Sequence, residues 1–284
     1  MATFTNQATL SYNNNTITSN IATGEIVEVL SASKNSIPTT YNTGEDIPYV
    51  ISIQNSGTTA LNNITVTDNL GAYTVGTNTV YPLNYKDGSV AFYINGELQN
   101  TTPTVVPGPP VQFTNITIPA GSNAMIIYEA NVTQYAPLAT DSTIVNEATI
   151  DGDGIATPVA VSDTITVAET PNLSINKAIN PSTVTENSQV TYTFTILNYG
   201  NAEATAADNI ILSDTFDPRL SNITVSLDGT ALTPDTQYTY DEATGVFETV
   251  AGQITVPAAT YTQNADGSIT TTPGVTTLTV TGTI

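Results

Sequence analysis

The sequence predicts an all-β chain of two tandem β-sandwich domains, preceded by a short N-terminal strand segment. Three observations carry this expectation. Thr, Val, Ile and Tyr recur in short runs, and no stretch has the Leu, Glu and Lys periodicity of an amphipathic helix. Short alternating runs are divided by Asn-Gly, Asp-Gly, Pro-Gly and Ser-Gly pairs, the punctuation of sandwich strands and their turns. The chain also repeats itself. An offset of 143 residues lays Tyr49-Val-Ile-Ser-Ile-Gln-Asn55-Ser-Gly57 on Tyr192-Thr-Phe-Thr-Ile-Leu-Asn198-Tyr-Gly200.

The same offset lays Leu30 on Leu173 and Lys34 on Lys177. An offset of 146 lays Ile64-Thr-Val-Thr-Asp68 on Ile210-Ile-Leu-Ser-Asp214, which puts an insertion in the intervening loop. At 284 residues the chain lies near the roughly 250 to 300 residues at which single cores stop growing, so two domains are expected. The segments read as 1–24, an N-terminal strand or hairpin; 25–168, the first sandwich; and 169–284, the second.

Composition removes several functions. Four basic residues stand against 25 acidic ones, and a net charge of -21 repels nucleic-acid phosphates and anionic lipid head groups. With no Cys and no His there is no disulfide framework, thiol nucleophile, Ser-His triad or zinc site of ordinary ligands, so no cofactor or metal is expected. A polysaccharide-active enzyme needs paired carboxylates in an aromatic-lined cleft, but the chain has no Trp and no acid pair stands out. Asp151-Gly-Asp153-Gly lacks the third acid and terminal Glu of a helical calcium loop and reads as a solvated turn. Met1 to Asn6 holds neither a basic leader nor an apolar stretch, and no run of about 18 apolar residues occurs, so neither membrane insertion nor a signal peptide is expected in this chain.

A Lys in a first strand, a Tyr-led strand ending Asn-x-Gly, and an apolar strand ending in Asp occur twice. In these blocks the chain resembles the bacterial surface-repeat family catalogued as domain of unknown function number eleven, over most of both repeats. The resemblance implies immunoglobulin-like sandwiches in tandem on bacterial surface proteins, an adhesive or structural role, and no reaction. It also implies a closing strand of the form Asn-x-Ala-Thr. Repeat one has one in Ile144-Val-Asn146-Glu-Ala148-Thr149-Ile150, whereas repeat two runs to Thr276–Ile284 without one. At an offset of 140, Phe4-Thr-Asn6-Gln-Ala8-Thr9-Leu10 matches that strand. The expectation is a fold whose closing strand sits at the front of the chain, with Phe4, Asn6, Ala8 and Leu10 as the donor residues.

A sandwich without its last strand exposes apolar side chains and unpaired backbone groups, a template for an incoming strand. The donor can close its own second domain or a neighbour's. The head-to-tail filament is favoured because residues 1–24 run directly into repeat one.

Residues two apart share a strand face, so Lys34 points with Leu30 and Ala32, and Lys177 with Leu173 and Ile175. By the same parity Asp68, Asp214, Asn146 and Asn6 lie on apolar faces. Of three lysines, Lys34, Lys86 and Lys177, two take equivalent inward positions. Such groups must pair, neutralise or react. Two readings stay open. One is a buried Lys–Asp ion pair with Asn nearby, which fixes register. The other is a spontaneous Lys–Asn isopeptide bond assisted by the acid: Lys34 to Asn146 with Asp68 within a chain, and Lys177 to Asn6 with Asp214 between chains. Asn55 and Asn198 are competing partners, but their Asn-x-Gly setting points to turn capping.

The chain therefore reads as a non-enzymatic subunit of an extracellular, cell-surface or spore-surface fibre whose partner is itself. The alternative is a non-polymerising adhesin that presents a binding face to an unknown surface receptor. Export after removal of a leader and release from a sporulating mother cell are equally open routes.

Overall fold

In the computed structural model, residues 2–26 and 28–284 are described, and they are almost entirely strand. The exception among them is a single 3-10 turn at Ala206–Asp208. The chain divides into two compact units, Met1–Ala136 with Thr143–Thr166, and Pro137–Ser142 with Val167–Ile284. Each is an immunoglobulin-like sandwich.

The first unit begins with a hairpin arm. Strand Ala2–Asn6 pairs with Ala22–Ile26, and Thr9–Tyr12 pairs with Asn15–Thr18 through Asn13 and Asn14, both at positive φ, the geometry of a two-residue hairpin turn. Among the described residues these strands pair only with one another, and Phe4, Leu10, Tyr12, Ile17 and Ile21 are exposed.

The first sandwich has two six-stranded sheets. One holds the lysine strand Leu30–Ser36 at its edge, beside the tyrosine strand Asp46–Asn55 and then Asn123–Val132. In the other, the aspartate strand Leu61–Asp68 is interior. It lies between Val111–Ile118 and the asparagine strand Thr143–Asp153, which pairs in turn with a return strand, Val159–Val167. Alternation fixes the core: along the asparagine strand Ile144, Asn146, Ala148 and Ile150 are buried, while Val145 and Glu147 are exposed.

The second sandwich repeats the first sheet, with lysine strand Leu173–Asn180, tyrosine strand Gln189–Asn198, and Gly274–Thr283 followed by Ser221–Leu227. Its other sheet has three strands. The aspartate strand has shrunk to Ser213–Thr215 and forms the edge, paired on one side with Val246–Thr249. The described residues of this unit contain no counterpart of the asparagine and return strands.

Two glycines follow from close approach, one of backbone and one of an aromatic ring. A Cβ on Gly200 would sit 2.1 Å from the Thr170 carbonyl oxygen, so no other residue fits this end of the Asn-x-Gly turn. Gly24 lies beneath the Phe4 ring, 2.4 Å from where a Cβ would stand.

Candidate functional site: one closed and one open lysine cluster

In the first unit the lysine strand brings Lys34 Nζ to 2.6 Å from Asp68 Oδ2, with both side chains fully buried. The ammonium lies 5.0 Å from the centroid of the Tyr49 ring, which stacks on Tyr128 at 5.6 Å. Asp68 Oδ1 accepts the Leu70 backbone N–H at 2.8 Å, and Oδ2 also accepts the Tyr128 hydroxyl. Asn146 enters from the asparagine strand, fully buried, and its Nδ2 donates to the Tyr128 hydroxyl at 3.4 Å. The Asn146 Oδ1 and the Tyr49 hydroxyl have no hydrogen-bond partner among the described residues. The cluster is thus a continuous chain from Lys34 through Asp68 and Tyr128 to Asn146.

Burial drives the Lys34 pKa down, against the opposing pull of Asp68, and so favours the neutral amine. Burial pushes the Tyr128 phenol well up, and Asp68 adds to it, so this hydroxyl keeps its proton. The return strand seals the side of the cluster, with Asp163 accepting the Ser36 backbone N–H at 2.9 Å.

The second unit builds the same ion pair without the cover. Lys177 bonds Asp214 and stands over the rings of Tyr192 at 4.8 Å and Phe194 and Phe216 at 5.4 Å. Its side chain is 43% exposed, and that of Asp214 is 18% exposed. Every residue of the lysine strand is exposed, so Leu173, Ile175 and Ile179 form an apolar row around Lys177 that faces solvent. The expectation that both lysines are buried holds for Lys34 and fails for Lys177, because the two strands that roof Lys34 have no counterpart over Lys177. Asn6 lies in the exposed arm opposite Ala22.

Sequence reasoning missed Tyr128. By register it faces Tyr49, as Val280 faces Tyr192, so the repeat offered no second tyrosine to mark it. Its inward parity in Ala124–Tyr128 was the available signal. The competing asparagines are turn caps. Asn55 Nδ2 lies within 3.1 Å of three carbonyls, those of Thr59, Ile118 and Pro119, and Asn198 Nδ2 is shared in the same way among Ala202, Val256 and Pro257. Asp151 accepts the Gly152 N–H and Asp153 accepts Asn63 Nδ2; both acids are exposed, but they belong to the irregular end of the asparagine strand, paired with Thr65 and Asn62, and not to the turn expected. Lys86 pairs with Asp46 and Glu129 at the surface.

No family model matches the chain. No curated protein matches it either. Among solved structures it is similar to a major pilin subunit of Bacillus cereus, at 14% identity over 96% of this chain and 74% of that one, TM-score 0.39. It is similar to the collagen-binding subdomain of an Enterococcus faecalis surface protein, at 8% identity over 50% of this chain and 99% of that one, TM-score 0.32. It is also similar to a family 123 glycoside hydrolase from Clostridium perfringens, at 10% identity over 50% of this chain and 27% of that one, TM-score 0.30. Fold alone does not fix function, which is argued from the two clusters.

Proposed function

We propose that this chain is a non-enzymatic structural subunit of an extracellular or spore-surface fibre, in which the N-terminal arm of one copy completes the second sandwich of the next. One observation carries the reading. The Lys177–Asp214 cluster is the Lys34–Asp68 cluster with its roof removed, and the sequence matching that roof is an exposed arm at the other end of the chain. An open strand edge beside an apolar row is costly in water, and strand addition relieves both. A head-to-tail contact that does not close on itself grows a filament. The surface-repeat membership expected from the motifs belongs to the same proposal.

The proposal extends to covalent chemistry. Neutral Lys34 Nζ attacks Asn146 Cγ, the Cγ–Nδ2 bond breaks, and Nδ2 leaves as ammonia. Asp68 takes the proton shed by the attacking nitrogen and passes it to the Tyr128 hydroxyl as that hydroxyl, bonded to both Asp68 and Asn146, hands its own to Nδ2, so that carboxylate and phenol both end as they began. In the second unit Lys177, Asp214 and an incoming Asn6 supply the amine, the acid and the amide; Val280 stands in place of the tyrosine, so Asp214 itself carries the proton from Nζ to the leaving Nδ2.

Electron microscopy of the purified chain tests the reading. Filaments from the full chain, and none after deletion of residues 1–12, are expected. Filaments of normal length from the deletion, or discrete monomers from the full chain at any concentration, would overturn it.

A further inference from the structure

Deepening the strand-donation reading, on which it rests, we infer that the transferred element is the whole hairpin Ala2–Ile26 and not a single strand. The asparagine strand of the first unit does not act alone. It is one arm of a hairpin whose return strand, Val159–Val167, supplies the buried Ile165 and Val167 and the Asp163 that holds Ser36. The N-terminal arm reproduces both strands of that hairpin, in the same cross-strand register from Thr3–Glu25 to Asn6–Ala22 and, past an irregularity after Asn6, shifted by one residue at Leu10–Ile17.

Three inward pairs show the match. Phe4 opposite Gly24 stands where Ile144 faces Ile165, Asn6 opposite Ala22 where Asn146 faces Asp163, and Leu10 opposite Ile17 where Ile150 faces Val159. The outward pairs agree as well: Thr3 opposite Glu25 corresponds to Thr143 opposite Thr166, and Thr5 opposite Thr23 to Val145 opposite Thr164. The outward pairs Thr3–Glu25 and Thr5–Thr23 are thus polar, while the three inward pairs are apolar apart from Asn6, the division a roof requires.

Two exchanges tie the second strand of the arm to the groove. Two isoleucines, Ile144 and Ile165, become a large and a small residue, Phe4 and Gly24, with the ring lying over the glycine. The pair divides the space differently and is complementary only while the strands stay together. Asp163, which accepts the Ser36 backbone N–H, becomes Ala22 in the arm, and Ser36 becomes Ile179 in the lysine strand, so a side-chain acceptor is exchanged for an apolar pair. Exposed Ile179 gains a small apolar neighbour only when the return strand of the arm enters too. An isolated two-stranded hairpin is marginal in water, so the groove also supplies the arm with the third strand it lacks.

A sealed hairpin tests the inference in a chain that has no Cys of its own. Thr5→Cys with Thr23→Cys lies on the outward face, and oxidation closes the two strands on each other. The oxidised variant is expected to assemble to the same extent as its reduced form and as wild type. Assembly that appears only after reductant would show that the strands must separate, and would overturn the hairpin inference while leaving strand donation intact. Ala22→Arg, on the inward face of the return strand, is expected to abolish filaments, whereas Thr23→Arg leaves them unchanged; normal filaments from Ala22→Arg overturn the inference even if the disulfide fails to close. A wild type that never assembles defeats the donation reading itself, and this inference with it.

Discussion

The two sandwiches present the same lysine, aspartate and aromatic ring in two environments. In the first unit Lys34 and Asp68 are sealed beneath Asn146 and the return strand; in the second, Lys177 and Asp214 face water beside Leu173, Ile175 and Ile179. The strands that carry the lysines are equivalent, so the difference lies in a hairpin that is present over one cluster and missing over the other. Burial of a charged pair is here a property of the roof and not of the residues that form the pair. The comparison also separates chemistry from docking. The first unit holds a lysine, an aspartate and an asparagine together within one chain, while the described residues of the second place no asparagine beside Lys177 and Asp214, and on the proposed reading a neighbour supplies it.

The largest effect expected from this contrast is covalent. Assembled wild-type fibres should resist boiling detergent and run as a ladder, because Asn6 meets Lys177 in a chain that has no reducible bond. Asn6→Ala should still form fibres, through Phe4, Ala8, Leu10 and the backbone ladder, but these should dissolve to monomers. Wild-type fibres that dissolve to monomers would leave non-covalent donation alone.

Next comes stability of the unassembled subunit, measured as unfolding free energy for each unit. Measured in the Asn146→Ala background, where no bond forms, Asp68→Ala removes the partner of a fully buried lysine and should cost ~3–5 kcal/mol, whereas Asp214→Ala removes a half-exposed pair and should cost ~0–1 kcal/mol. Equal costs would contradict the open second cluster.

Kinetics should sharpen the same contrast. Tyr128→Phe removes the hydroxyl between Asp68 and Asn146 and should slow ammonia loss from the first unit on the order of 10²-fold, read by intact mass after refolding. Val280→Tyr should speed the bond between subunits. An unchanged rate in Tyr128→Phe would remove the phenol from the proton path.

The smallest expected effect is a pH dependence, cleanest in Asn146→Ala, where no bond forms. Burial lowers the Lys34 pKa, so between its folded value and the ordinary 10.5 the unfolded chain holds more protons and stability rises with pH. Above the ordinary phenol value of 10.0 the buried Tyr49 and Tyr128, both shifted upward, reverse the slope, because the unfolded chain ionises first. Adding Lys34→Met should remove the rise and leave the fall. A rise that survives this change would assign it to another group.

Much of this arrangement was legible in the sequence. Period-two alternation placed Lys34, Asp68 and Asn146 inward, and the Asn-x-Gly pairs marked caps whose amides the structure engages with three carbonyls each. The exposure of Lys177 was not legible, because parity says which face a side chain takes and not whether that face is covered. Tyr128 escaped because a repeat comparison highlights what recurs, and Val280 stands in its place. The arm was read chiefly as a strand, although Asn13-Asn14, two residues that tolerate positive φ, marked its turn.

The most direct test of the account uses the ladder itself. In the first unit Ala148 lies directly opposite Asp68 across the sheet, so a docked arm puts Ala8 opposite Asp214. Directly opposed Cβ atoms lie about 4.5–5.5 Å apart, a separation from which a disulfide can close with slight adjustment. Ala8→Cys with Asp214→Cys, oxidised without reductant, should give a ladder of multimers on a denaturing gel that collapses to monomer when reduced. Internally bridged monomers, or thiols that stay free, would contradict the claim that one copy closes the fold of the next.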